Sequence, residues 1–294
     1  MKRQTILLLF AVIVSLLPMT AHSNFLKDVS NAYLPGEVKT IMVGEGEAPI
    51  IEIGAKTPLP LGTAIVLTEP FPSSLTLSQG NSLADLLAEK GWNVVISPFH
   101  LPVTPSEPIN EDTMPGSLDE GDSAPSSQPN EIHPRSNQLT QYLSFETTVT
   151  ALTLQLSALY NYLQDRGGYR MVIAQGMLAT TFLSATEQQP ALDPDTFIAI
   201  SPFWPEESTN NLVIETMAQA NYPVLDVSLN NFNDWESNTT LKRKVRAKNA
   251  LKLHYRQINI PNNSLTFSIK EIEKTPNIQM VANSTIGWTR HLGW

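Results

Sequence analysis

The sequence predicts an α/β protein: a mostly parallel sheet with helices packed on both of its faces. Three observations carry that expectation. The run "TAIVLT" at 63–68 is apolar throughout and bounded by Gly62 and Pro70, the composition of a strand buried on both sides. From residue 170 to residue 260, short apolar runs alternate with longer helix-like stretches, the order of βαβ units in a parallel sheet. Two short extended segments, 38–43 and 49–53, flank the turn-like "GEGEA" and read as an antiparallel pair at the sheet's entry.

The elements follow in order. After the strand at 63–68, "NSLADLLAEKG" (81–91) has helical spacing, with Ser82 as the expected N-cap and Gly91 as the stop. It leads into the apolar strand "WNVVISPF". Between Thr104 and Arg135 the composition turns to Pro, Ser, Asp and Glu, with seven carboxylates. So little of it is apolar that burial cannot offset the entropy of ordering, and a disordered insertion over 104–135 is expected.

Next, Tyr142, Phe145, Val149, Leu152, Leu156, Leu159 and Leu163 recur at steps of three and four, one face of a long helix ended by Gly167 and Gly168. The remaining units are strands near 170–175, 196–201, 223–229 and 253–260, with helices near 177–187, 207–220 and 239–250 between them. A short last helix is expected from Asn283. Together these give eight strand candidates.

The chain opens on "MKRQTILLLFAVIVSLLPMTAHS", where Lys2 and Arg3 precede an apolar run of about a dozen residues and then Ala21-His22-Ser23. This is the pattern of a secretory signal peptide, with cleavage expected after Ser23 and a periplasmic destination for residues 24–294. The run is shorter than the roughly 20 residues a spanning helix needs. Without Lys2 and Arg3 the formal net charge moves from −9 to −11, a balance that argues against a nucleic-acid footprint. The absence of cysteine excludes disulfides, thiol catalysis and cysteine-held metal.

This arrangement resembles the α/β-hydrolase fold across nearly the whole chain after residue 23. A narrower likeness rests on "LPLGTAIVLTE", "EKGWNVVISPFHLP", "YPVLDVSL", "LKLHYRQINIP" and "IGWTRHL", of which "PVLD" and "YRQ" are the more specific. In these segments the chain looks like domain of unknown function 3530, a family of exported proteobacterial proteins with an α/β-hydrolase-like fold and no assigned activity. The resemblance implies an eight-stranded three-layer sandwich.

A hydrolase of this fold places its nucleophile at a G-x-S-x-G turn after the fifth strand, an acid after the seventh and a histidine after the eighth. Here the turn reads Ala174-Gln175-Gly176-Met177-Leu178, so glycine occupies the nucleophile's place. Gly176 keeps a strained bend without its usual cost. Thr180, Thr181 and Ser184 lie too far along the helix to replace it. Asp234 in "NNFNDW" is a possible acid, although an Asp in an Asn-rich loop more often makes a turn.

No histidine occurs in 260–274, and His100, His133, His254 and His291 fall elsewhere. The loop "TEPFPSS" (68–74) replaces the glycine-rich oxyanion loop and loses two N–H groups to proline. No metal or cofactor motif is present, and none is expected.

The function expected from this pattern is a non-catalytic α/β-hydrolase-like protein that binds an envelope ligand or protein at the sheet's C-terminal edge. The alternative is an atypical envelope esterase or serine hydrolase with a displaced nucleophile. Gln175, Met177, Phe203, Trp204, Phe232 and Trp235 are the candidate lining of a cleft, with ordinary packing as the plainer account. The basic run containing Lys242, Arg243, Lys244 and Arg246 is a candidate contact for an anionic surface, against the plain alternative of a solvated helix face.

Overall fold

Continuous burial along the central strands sets the architecture. The computed structural model describes residues 38–68, 74–99, 144–261 and 276–294. Lys39–Trp294 groups as one compact unit. The expected signal segment and the acidic insertion at 104–135 lie outside the described residues.

In chain order the elements are β1 (Val38–Val43), β2 (Gly46–Ile53), β3 (Gly62–Thr68), α1 (Leu77–Ala88), β4 (Trp92–Pro98), α2 (Phe145–Tyr162), β5 (Tyr169–Gln175) and α3 (Met177–Gln188). They continue with β6 (Thr196–Ile200), α4 (Glu207–Gln219), β7 (Val224–Leu229), α5 (Asp234–Asn249), β8 (Tyr255–Ile260) and α6 (Pro276–His291). A single 3₁₀ turn at Pro190–Leu192 joins α3 to β6.

The eight strands form one sheet in the order β1-β2-β4-β3-β5-β6-β7-β8. β2 meets β4 antiparallel, with Ile51 opposite Ile96. From β4 to β8 every neighbour is parallel. This is the α/β-hydrolase-like architecture expected from the sequence.

All seven residues of β3 are buried, because helices cover both sides of it. Ile65 and Leu67 join a core with Val149, Leu152 and Leu156 of α2 and Ala179, Phe182 and Leu183 of α3. Val66 and Thr68 point the other way, toward Gly80 of α1. A Cβ on Gly80 would sit 2.6 Å from the Thr68 Cγ2, so the missing side chain is what lets α1 lie this close to the sheet. α1 and α6 pack against each other, and the Trp288 indole of α6 donates to Thr196 Oγ1 at 2.9 Å.

Several boundaries differ from the expected ones. α1 begins at Leu77, four residues early, because Thr76 rather than Ser82 is the N-cap: Thr76 and Gln79 form a reciprocal capping box. α5 begins at Asp234 instead of 239, since the Asn233 side chain accepts from Glu236 N at 2.7 Å. α6 starts at Pro276, well before Asn283.

Candidate functional site

β5 delivers the chain to the C-terminal edge of the sheet, and Gly176 turns it into α3. Its backbone has φ 65° and ψ −131°, a region that side chains resist. The bend is fastened to the end of β6 and the loop after it: Gly176 N donates to Ile200 O at 2.9 Å, and Phe203 N donates to Gly176 O at 3.4 Å. An elbow is therefore built at the place where the fold carries a nucleophile, and it holds glycine.

Two consequences follow from glycine at the N-cap. Gly176 has no side chain with which to cap the first turn of α3. A helix N-terminus without a capping side chain favours an oxyanion, through its N–H groups and its dipole. The only side-chain hydroxyl bonded to the elbow strand's last carbonyl among the described residues comes from a different loop. Ser74, just ahead of α1, is buried and donates from Oγ to Gln175 O at 3.1 Å.

The candidate cleft residues do come together. Met177, Phe203 and Trp204 form a buried cluster against which Phe145, Phe232 and Trp235 pack. Phe145 meets Trp204 edge-on at 4.7 Å, and Phe203 meets Phe232 at 5.9 Å. They pack beside the elbow as one aromatic cluster, in which Phe145, Phe232 and Trp235 are partly buried. Gln175 is buried at the end of β5.

Asp234, the possible acid, is the first residue of α5 and is exposed there, where a carboxylate complements the helix dipole. Asp226 is a different matter. It sits fully buried in the middle of β7, and its carboxylate accepts from Arg243 Nε and Nη2, Tyr255 Oη and Gln257 Nε2 at 2.7–3.1 Å.

Glu236 shares the same arginine at 3.0 Å and also accepts from Ser228 and Thr240. Burial alone would lower the Arg243 pKa, but the Asp226 and Glu236 carboxylates outweigh it and hold the guanidinium charged. The cluster is closed on itself and structural.

That cluster corrects one expectation about the basic run. Arg243 is buried inside the protein, so it is not part of any outer basic surface. Arg246 is bonded to Glu215 of α4 at 2.8 Å. Lys242, Lys244 and Lys248 remain exposed. The sequence reads as a uniform charge run because its period, not its composition, decides which members face inward.

The histidines lie away from the elbow. His254 is exposed just before β8, at the opposite edge of the strands, and His291 ends α6, where it meets the Trp288 ring at 5.6 Å. His100 and His133 lie outside the described residues. No group of three or more histidine or carboxylate side chains suited to a metal occurs among the described residues.

A separate cavity of about 130 Å³ opens at the N-terminal edge, lined by Glu187, Asp193, Thr216 and Tyr222 among others. Burial raises the Asp193 pKa, and a hydrogen bond from Asn221 partly opposes this.

Ser74 is the residue the sequence reading missed. Its signal was the T-x-x-Q capping box at 76–79, which fixes the start of α1 and so leaves Ser74 at the C-terminal edge beside β5.

No family model matches the chain, and no curated protein matches it. Solved structures do. The chain is similar to a putative dienelactone hydrolase from Klebsiella pneumoniae, with a TM-score of 0.56 at 16% identity over 87% of this chain and 96% of the other. It is also similar to an alpha-beta serine hydrolase homologue from Coxiella burnetii, with a TM-score of 0.52 at 15% identity over 86% and 98%. A dienelactone hydrolase from Anabaena variabilis gives a TM-score of 0.51 at 11% identity over 86% and 96%.

At these identities the likeness establishes the fold. The expectation of a non-catalytic binding protein does not stand against this set, whose members are named consistently as hydrolases. What Gly176 removes is a nucleophile at one position.

Proposed function

We propose that the chain is a hydrolase of ester bonds whose nucleophile comes from outside the elbow, and that Ser74 supplies it. The observation that carries this reading is the hydrogen bond from Ser74 Oγ to the Gln175 carbonyl, which sets a buried hydroxyl beside the turn. The N-terminal amides of α3, lacking a side-chain cap, are the donors for the oxyanion. The names of the structural neighbours favour the same reaction class. The address expected from residues 1–23 makes the substrate an ester of envelope origin, and membership of domain of unknown function 3530 belongs to the same proposal.

In this reaction Ser74 Oγ attacks the ester carbonyl, the leaving alcohol takes up the serine proton, and water then releases the acid and restores Ser74. No described histidine is placed to take that proton. Turnover is therefore slow and climbs with pH without levelling near the ordinary histidine pKa of about 6.5, unless His100 or His133 serves.

Labelling with a fluorophosphonate probe, followed by peptide mapping, and turnover of short-chain nitrophenyl esters test the proposal together. The label is expected on Ser74 and is lost in Ser74→Ala with the fold retained. His100→Ala and His133→Ala show whether either imidazole takes part. No labelled serine and no ester turnover would overturn the reading.

A further inference from the structure

The outer face of α5 inverts the usual pattern. At 100° per residue, the buried positions Glu236, Thr239, Arg243 and Ala247 lie on one side of the helix. The opposite side centres on Leu241 and Val245, both exposed, with Lys244 and Lys248 along one flank and Lys242 along the other. A mainly polar set faces the protein and an apolar stripe between lysines faces out.

The turn that follows repeats the inversion. Leu251 is 82% exposed and Leu253 91% exposed, while Lys252 between them turns inward and donates from Nζ to the carbonyls of Ala220 and Tyr222. Leu251 holds φ 53°, a conformation that a branched apolar side chain seldom adopts. The two leucines are thus presented by a turn that a half-buried lysine pins from behind.

We infer that this face, the outer side of α5 with the Leu251–Leu253 turn, docks on an anionic lipid bilayer. Leucines enter the interface while the flanking lysines reach the head groups, the pairing that interfacial helices use. Lysine suits a field of head groups, since it acts as a mobile point charge and not as a fixed fork. The face is the convex side of one helix plus one turn, a shape that lies on a flat surface more readily than it buries a partner protein. Docking through this face is independent of the chemistry at the elbow.

Vesicle flotation tests it, using the chain from residue 24 so that the apolar N-terminal run does not itself enter the lipid. The protein is expected to float with vesicles of phosphatidylcholine and phosphatidylglycerol at a ratio of about three to one, and not with phosphatidylcholine alone. Leu251→Ser with Leu253→Ser, and separately Lys242→Gln with Lys244→Gln and Lys248→Gln, should each weaken binding by at least about tenfold.

These side chains are exposed, so both variants should melt as the wild type does, which separates lost docking from lost folding. Wild-type protein that ignores the anionic vesicles, or variants that float unchanged, would overturn the inference. So would a dimer in sedimentation velocity that the leucine variant dissociates, because the face would then be a self-association surface.

Discussion

Arg243 and Asp226 form a two-pronged ion pair in the protein interior, with Nε 2.9 Å from Oδ2 and Nη2 3.1 Å from Oδ1, and neither side chain touches solvent. The pair joins the middle of β7 to the inner side of α5. Glu236 completes a site in which two carboxylates share one guanidinium.

Removing that guanidinium leaves both carboxylates buried without a counter-charge. Arg243→Ala is therefore expected to cost about 3–5 kcal/mol in urea denaturation. Lys244→Ala, one residue away and exposed, is expected to stay within about 0.5 kcal/mol. Equal effects would mean that the buried cluster contributes nothing to holding α5 on the sheet.

Gly176→Ala isolates the elbow. Its positive φ suits glycine, and an added Cβ carries a strain of about 1–3 kcal/mol. A denaturation midpoint unmoved by the substitution would show that the bend relaxes when challenged. Ser74→Ala, by comparison, removes the buried hydrogen bond to Gln175 O, a loss of about 1 kcal/mol.

Acid stability reports on Glu52. Burial pushes its pKa up, but hydrogen bonds from Lys39, Tyr162 and Arg166 prevail and the net shift is downward from 4.5. Its stabilisation is thus complete above 4.5 and fades as the pH falls through the lower folded value. The stability gap between wild type and Glu52→Gln should narrow steadily on acidification below about 4.5. A gap that stays constant from pH 6 to pH 3 would contradict it.

Lys252 gives the alkaline counterpart. Burial brings its pKa down from 10.5 to about 8. Between those values the unfolded chain still binds a proton that the folded chain has released, so stability gained from this group rises with pH across the window. Wild type should gain on Lys252→Met between about pH 8 and pH 10.5, and the difference should flatten outside it.

The sheet was largely legible because continuous apolar runs such as 63–68 and 196–200 have no other use in a chain of this kind. Gly176 was legible too, since the turn's position follows from strand counting. What escaped was whatever depends on direction and not on composition. Arg243 reads as one more cation in a run, and only the helix period, anchored at Asn233, turns it toward Asp226.

Ser74 escaped for a related reason. Its loop reads as an oxyanion loop lost to proline, and the hydrogen bond that makes it interesting spans a hundred positions of sequence. The aromatic residues near the elbow were found as a group, but whether rings line a space or fill it is decided by packing that no linear pattern records.

α1, the first helix after the sheet begins, shares its side of the fold with α6, the last element in chain order. That layer cannot close until almost the whole chain is present, because the contacts between α1 and α6 join the two ends of the parallel part of the fold. Topologies rich in such distant contacts fold slowly. A kinetic consequence follows: α1 should remain open to proteolysis or chaperone capture through most of the folding reaction, and α6 should be the element whose arrival ends that exposure.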